Sequence, residues 1–205
     1  MKRISLAVSV AVISMMAMTS SPALAVAVNV QFINQGTSVP YHGVYAGYYN
    51  VKVDGVDTLA LCDDFLTGIS YGQSWTANEF TYADVAGGAS TKFLGTQKYS
   101  QAGWLFSQTA SATPLMRAQM QGAIWNIMSL GSVVMDPLAQ SFYNQATSGA
   151  YDTYDWSGVM KVLTPAPSMS GQEFLTPVPE PAPILLFSSG LAVLMGIVGI
   201  SRRKA

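Results

Sequence analysis

The first half of the chain alternates apolar and polar residues with the period of two that is typical of β-strands. The clearest case is 51–62, which predicts a hairpin whose strands are joined by Asp54-Gly55. This dipeptide supplies the positive φ values that a two-residue type I′ turn requires. In that register Lys52 lies opposite Asp57, which is a favourable cross-strand charge pair.

The same alternation predicts that the single cysteine of the chain is buried. Counting by two along the hairpin places Leu59 and Leu61 on one face. The opposite face then carries Val51, Val53, Val56, Thr58, Ala60 and Cys62. Both faces are apolar near Cys62, so we expect the thiol to lie inside the fold, with the aromatic-rich segments 41–49 and 74–85 as neighbouring strands.

The second half of the chain changes to helical spacing. The most clearly patterned helix of this half is expected to begin with Thr113 as its N-cap and Pro114 at the first helical position. Gly131 is expected to terminate it. Further elements are a helix over 98–106, a third helix over 136–146 and a closing strand over 159–163. The predicted fold class is therefore α+β, a β-rich first half with hairpins packed against two or three helices.

The N-terminus has the three parts of a secretory signal peptide. Basic residues at the start are followed by an apolar run over 4–17 and by the small-residue cleavage site Ala23-Leu24-Ala25. We expect a signal helix over 1–25 and Val26 as the first mature residue. An uncleaved membrane anchor is the alternative, although the apolar run is short for one.

The C-terminus predicts a membrane anchor that follows an extended linker. The expected segments after the extracytoplasmic domain of 26–163 are a Pro-rich linker over 164–183, a transmembrane helix over 184–200 and a basic cytoplasmic tail over 201–205. Arg202, Arg203 and Lys204 would hold the tail on the cytoplasmic side and stop translocation.

This C-terminus resembles the PEP-CTERM sorting signal of Gram-negative bacteria. The resemblance rests on the motif Val178-Pro179-Glu180-Pro181, one apolar span and the terminal basic cluster. It implies recognition by an exosortase-type membrane protease, then delivery from the inner membrane to the cell surface or to the exopolysaccharide matrix. Such tails are also described as an ice-binding protein C-terminal domain, but nothing in the residues indicates ice binding. The alternative is a permanent anchor that is never processed.

Charge excludes one class of partner. Residues 26–177 contain five Lys and Arg against ten Asp and Glu, without a basic cluster. A mildly acidic domain of this kind is not expected to bind nucleic acid.

One glutamine is a candidate partner for the cysteine. On the strongest predicted helix, Gln121 shares a face with the apolar residues Ile124, Trp125 and Met128, so its amide is directed at the edge of the core. The adjacent Gly122 would let another backbone approach closely. A thiol can attack such an amide and release ammonia, which leaves an internal thioester that is held in reserve for an external amine or hydroxyl.

The two stretches resemble the thioester domains of bacterial surface adhesins, in which Cys follows a hydrophobic strand residue and a helix carries Thr-Gln-x-Ala before an aliphatic residue and Trp. The matching residues here are Leu61-Cys62-Asp63 and Met120-Gln121-Gly122-Ala123-Ile124-Trp125. The resemblance implies a bond between Cys62 and Gln121. Met120 stands where those adhesins usually have Thr.

Other interpretations fit the same residues. Cys62 is also explained as an inert buried thiol, and Gln121 as a hydrogen-bonding partner of a strand backbone. His42 is the only histidine and lies beside Tyr41, with no Gly-x-Ser-x-Gly motif to pair with it. Asp63 and Asp64 lack a calcium-loop pattern, so they are expected to be solvated or hydrogen-bonded. Neither a metal nor a cofactor is expected.

The sequence thus favours an exported surface protein that is not an enzyme. The first hypothesis is an adhesin that attaches covalently, through a thioester, to an amine-bearing or exopolysaccharide ligand. The second is a non-covalent structural component of the matrix. A secreted hydrolase that uses His42 as its base is a weaker third.

Overall fold

The computed structural model describes residues 25–129, 131 and 133–179. The predicted signal peptide up to residue 24, the predicted transmembrane helix over 184–200 and the basic tail lie outside these residues, as do Glu180 and Pro181. Within the described ranges, no helix combines the length and the apolar character needed to cross a membrane.

The domain is built on a six-stranded closed barrel and a separate small hairpin. The strands are β1 (Val26–Asn34), β2 (Val39–Tyr41), β3 (Val44–Ala46), β4 (Tyr48–Val53), β5 (Val56–Cys62), β6 (Ser74–Thr81), β7 (Met160–Pro165) and β8 (Phe174–Pro177). The barrel runs in the order β1-β4-β5-β8-β7-β6, with antiparallel neighbours throughout. Strands β2 and β3 pair with each other in a separate two-stranded sheet.

The predicted hairpin is confirmed in its register. Strands β4 and β5 pair with Lys52 opposite Asp57, and the Lys52 Nζ lies 2.8 Å from an Asp57 carboxylate oxygen. Asp54 and Gly55 both have positive φ, as the type I′ turn requires. Burial increases towards the end of β5, where Cys62 is 1% exposed.

Four helices are described, and three of them match the predicted ones. They are α1 (Tyr82–Ala86), α2 (Thr96–Thr109), α3 (Pro114–Ser129) and α4 (Pro137–Ala146). Thr113 accepts a hydrogen bond from the Met116 backbone N–H at 3.3 Å, as expected of an N-cap. The helix α1 was not predicted, because 74–85 was expected to be all strand. A capping box formed by Thr81 and Asp84 ends that strand and begins the helix.

The predicted linker over 164–183 begins too early. Thr164 and Pro165 end β7, and residues 174–177 form β8, which lies between β5 and β7 in the barrel. The domain therefore extends past residue 163. A Pro-rich composition suggested a stalk, but proline is tolerated at strand ends, where Pro165 and Pro177 both lie.

The barrel separates two apolar cores. One core receives side chains from all six barrel strands, among them Val30, Val51, Cys62 and Phe174, and also from α3, α4 and the small hairpin. The other core lies between the outer surface of the barrel and the helices, and it includes Leu61. Successive residues of β5 thus point into different cores, as the strand period demands.

Candidate functional site

Cys62 ends β5 with its thiol enclosed by the barrel core. It is the only cysteine, it is 1% exposed, and its Sγ donates a hydrogen bond to the Asp64 backbone oxygen at 3.2 Å. Burial raises the pKa of this thiol well above its usual range, and the charges of Asp63 and Asp64 act in the same direction. The thiol is therefore protonated at neutral pH.

The amide of Gln121 lies against Cys62 although 59 residues separate them. Gln121 is fully buried in α3, and its Nε2 donates to the Cys62 backbone oxygen at 2.9 Å. Its Oε1 accepts a hydrogen bond from the Gly47 backbone N–H. The structure thus brings together the two residues that the sequence analysis selected. Both the nitrogen and the oxygen of the Gln121 amide are hydrogen-bonded to backbone.

Gly47 occupies a position that only glycine fits. It joins β3 to β4 with φ at +127°, and a Cβ built on it would lie 2.8 Å from the Ser38 Cα. A side chain would have to displace backbone, so this N–H reaches Gln121 only because residue 47 is glycine.

The close approach predicted at Gly122 occurs, but through a side chain. A Cβ on Gly122 would lie 2.8 Å from a ring carbon of Tyr41, so the neighbour is an aromatic ring and not a backbone. Tyr41 ends β2, and the missing Cβ lets the small hairpin pack closely on α3.

Two aromatic residues complete the surroundings of the thiol and the amide. Burial raises the pKa of Tyr49, whose hydroxyl donates a hydrogen bond to the Tyr45 backbone oxygen. Trp125 lies one helical turn after Gln121, and its ring is buried. Tyr49, Trp125 and Cys62 all belong to the same apolar core.

The neighbouring Asp63 belongs to a buried carboxyl pair that the sequence did not predict. Asp63 and Glu173 are both fully buried. Glu173 accepts hydrogen bonds from the hydroxyls of Tyr99 and Thr164 and from the Lys92 backbone N–H, whereas no donor reaches either oxygen of Asp63. Burial raises the pKa of Asp63 well above its usual range, and the Glu173 carboxylate adds to the shift. Burial therefore favours the protonated form of Asp63.

The sequence missed this pair because Glu173 fell inside the predicted linker. The available signal was the apolar pair Phe174-Leu175 directly after it, which is unusual for a solvated stalk.

Asp64 takes a separate partner from Asp63. It pairs with the Lys92 ammonium, whose Nζ also donates to the Thr67 hydroxyl at 2.6 Å. The Asp64 side chain is fully buried and that of Lys92 is 12% exposed. The expectation of hydrogen-bonded carboxylates holds for Asp64, but neither aspartate is solvated.

The remaining predicted residues lie away from this site. His42 occupies the exposed turn between β2 and β3, where its ring meets that of Tyr41 edge to face at 4.4 Å. In the described part of the chain, no group of three or more His, Cys, Asp or Glu could hold a metal ion. Of the sorting motif, Val178 donates a backbone hydrogen bond to Val159 at 3.1 Å and Pro179 is exposed. Arg202, Arg203 and Lys204 are outside the described residues.

Comparison with known proteins returned one solved structure. No protein-family model matches the chain, and no curated protein matches it. The chain is similar to the N-terminal thioester domain of a surface protein from Clostridium perfringens, at 11% sequence identity and a TM-score of 0.43. The alignment covers 74% of this chain and 98% of that one. Similarity at this level does not support any conclusion about chemistry. The hypothesis of a thioester therefore depends on the positions of Cys62 and Gln121 in this chain.

Proposed function

We propose that the domain attaches covalently to an extracellular ligand through an internal thioester between Cys62 and Gln121. The observation that carries the proposal is the position of the Gln121 amide, which is held between the Gly47 N–H and the backbone oxygen of Cys62. Two residues far apart in sequence are thereby kept in contact in a site from which water is excluded.

Bond formation requires only groups that these residues carry. The Cys62 sulfur attacks the Gln121 Cδ, the new C–S bond forms, and the C–N bond then breaks. The thiol proton moves to Nε2, which leaves as ammonia. Because burial keeps the thiol protonated, that proton is available at the start of the step.

Gly47 supports the same step electrostatically. Its N–H already donates to Oε1, the atom on which negative charge develops when sulfur adds to the amide carbon. A backbone donor fixed in a buried site stabilises such an oxyanion without reorganisation. The arrangement is therefore one in which the donor is ready before the reaction begins.

The resulting bond is a reagent that is used once. An external nucleophile attacks the Gln121 acyl carbon, the C–S bond breaks, and Cys62 regains its thiol. The ligand then remains joined to Gln121. Such chemistry suits attachment and does not suit turnover, so we propose an adhesin and not an enzyme.

The ends of the chain supply the proposed location. We propose export by the signal peptide over 1–25, transient anchoring by 184–200, and processing near Pro179-Glu180-Pro181 by an exosortase-type protease. The mature protein would then lie at the cell surface or in the extracellular matrix. Mass analysis of its C-terminus tests this, since retention of the terminal basic cluster would exclude processing.

The intact mass of the purified protein tests the thioester. We expect a mass lower than the sequence mass by one ammonia, which rises by one methylamine after treatment. Cys62→Ala and Gln121→Ala should abolish both changes. Gln119→Ala is the matched control, because Gln119 is also a buried amide of α3 but bonds to Asp136 at 2.9 Å.

An unmodified mass together with a thiol that reacts with an alkylating reagent after unfolding would overturn the proposal. Cys62 would then be a core residue, and Gln121 a buried amide that ties α3 to the strands. A non-covalent matrix component would become the leading function.

A further inference from the structure

A cavity of about 470 Å³ opens next to the candidate thioester. Its lining includes Tyr49 and Trp125, which belong to the same apolar core as Cys62. The volume is within the range of about 300–1,000 Å³ that is usual for small-ligand sites. Cys62 and Gln121 are buried and do not line the cavity themselves, so an external group has to pass Tyr49 and Trp125 to reach the acyl carbon.

Aromatic rings form two walls of the cavity. On one wall, Tyr71 stacks on Phe32 with ring centroids 5.4 Å apart, and Phe32 meets Tyr49 edge to face at 5.8 Å. On the other wall, Phe65 packs on Trp125 at 5.1 Å. Tyr71 is 58% exposed, whereas Phe32 and Trp125 are buried, so the walls run from solvent into the core.

The lining is polar in places but carries no charge. Among the described residues that form it, none is Asp, Glu, Lys, Arg or His. Its polar side chains are all uncharged and include Gln35, Thr67, Ser70, Tyr45 and Gln172. The ion pair of Asp64 and Lys92 lies behind Thr67, where its opposite charges offset each other.

We infer that this cavity binds a neutral carbohydrate, whose ring stacks on Tyr71 and one of whose hydroxyls is the acceptor of the Gln121 acyl group. Exposed aromatic faces beside uncharged hydrogen-bonding groups suit a sugar, which has apolar ring faces and hydroxyls at its edge. The inference rests on the proposed thioester and specifies its substrate class.

The lining argues against a cationic acceptor. An ammonium group that enters the cavity loses hydration, and no lining carboxylate compensates it. A sugar hydroxyl enters without that cost and finds hydrogen-bonding partners in the uncharged side chains.

The transfer balances without a further reagent. The sugar oxygen attacks the Gln121 acyl carbon, an ester bond forms and the C–S bond breaks. The hydroxyl proton passes to the departing Cys62 sulfur, which becomes a thiol. Because burial raises the pKa of this thiol, the departing thiolate is basic enough to take the proton.

The test compares two acceptors on the full chain. The purified protein is incubated separately with methylamine and with neutral malto-, cello- and manno-oligosaccharides, and adducts are followed by intact mass. We expect an oligosaccharide adduct that hydroxylamine removes, as it does an ester. Tyr71→Ala should lower the rate of its formation about tenfold relative to the rate of methylamine incorporation, since a small amine needs no stacking surface.

Tyr154→Ala is the matched control, because Tyr154 is 56% exposed and lies outside the cavity lining. It should change neither reaction. Methylamine incorporation without any oligosaccharide adduct, or an adduct that Tyr71→Ala forms at the wild-type rate, would overturn the inference and leave the thioester intact. Absence of methylamine incorporation would instead overturn the proposed function, and the inference with it.

Discussion

The hydrogen bond from Gly47 to Gln121 can be tested by one added methyl group. Gly47→Ala places a Cβ 2.8 Å from the Ser38 Cα at a φ of +127°, so the backbone must move away from its present path. That movement withdraws the N–H from the Gln121 Oε1. The oxygen then stays buried without a donor, because Gln121 is fully enclosed.

The expected loss follows from these two effects. Holding a non-glycine residue at a φ that such residues rarely adopt lowers the free energy of unfolding by about 1–3 kcal/mol. A buried acceptor without a partner costs about 1–3 kcal/mol more. We therefore expect Gly47→Ala to lower the free energy of unfolding by about 4 kcal/mol and to reduce the yield of the thioester.

Gly43→Ala separates the two effects. Gly43 lies in the turn between β2 and β3 with φ at +86°, but a Cβ there meets no atom within 4 Å. This variant carries the φ cost alone, about 1–3 kcal/mol, and should form the thioester as the wild type does. Urea denaturation and intact mass are measured on both variants. If Gly47→Ala unfolds like Gly43→Ala and forms the thioester in full, the role assigned to the Gly47 N–H is refuted.

Three further predictions concern the polar groups around the site. Because the folded-state pKa of Asp63 is raised, its contribution to stability is complete below about pH 4 and is lost as pH rises through that pKa. Asp63→Asn should therefore flatten the decline in unfolding free energy as pH rises above about 4, and an unchanged slope would contradict the raised pKa of Asp63. Lys92→Met leaves Asp64 buried without its cation and should cost about 3–5 kcal/mol in urea denaturation, whereas Lys52→Met, at an exposed pair, should cost less than about 1 kcal/mol; equal losses would contradict the burial argument. Asp136→Ala removes the N-cap of α4 and should lower the melting temperature by an amount equivalent to about 1 kcal/mol, while an unchanged melting temperature would show that the cap does not hold the helix.

Local sequence patterns were sufficient to predict the individual strands and the helix near the site. The Asp54-Gly55 turn set the register of β4 and β5, because only one pairing places Lys52 opposite Asp57 around a two-residue loop. The N-cap and helical spacing located α3, and with it the burial of Gln121. These features depend on residues close together in the chain, so short-range rules apply to them.

Contacts between segments that are distant in the sequence could not be predicted from those short-range rules. The interpretation of 164–183 as a stalk failed because Pro and Ser content describes local preference, whereas β8 forms only by pairing with β5 and β7. Glu173 reaches Asp63 through that same pairing, which places Phe174 opposite Cys62. Without β8, neither the closed barrel nor the carboxyl pair could be anticipated.

The sequence by itself determined that one thiol and one amide would be buried, because strand alternation and helical spacing state which side of each element is apolar. Only the tertiary structure decided that they meet. The contact of Cys62 with Gln121 depends on how α3 lies on the strands. The donor from Gly47 depends on a turn that no periodic pattern describes, and on a glycine whose need appears only once the Ser38 backbone is in place. Which side of a strand or helix is apolar depends on that element alone, whereas the meeting of two side chains from different elements depends on how the elements pack.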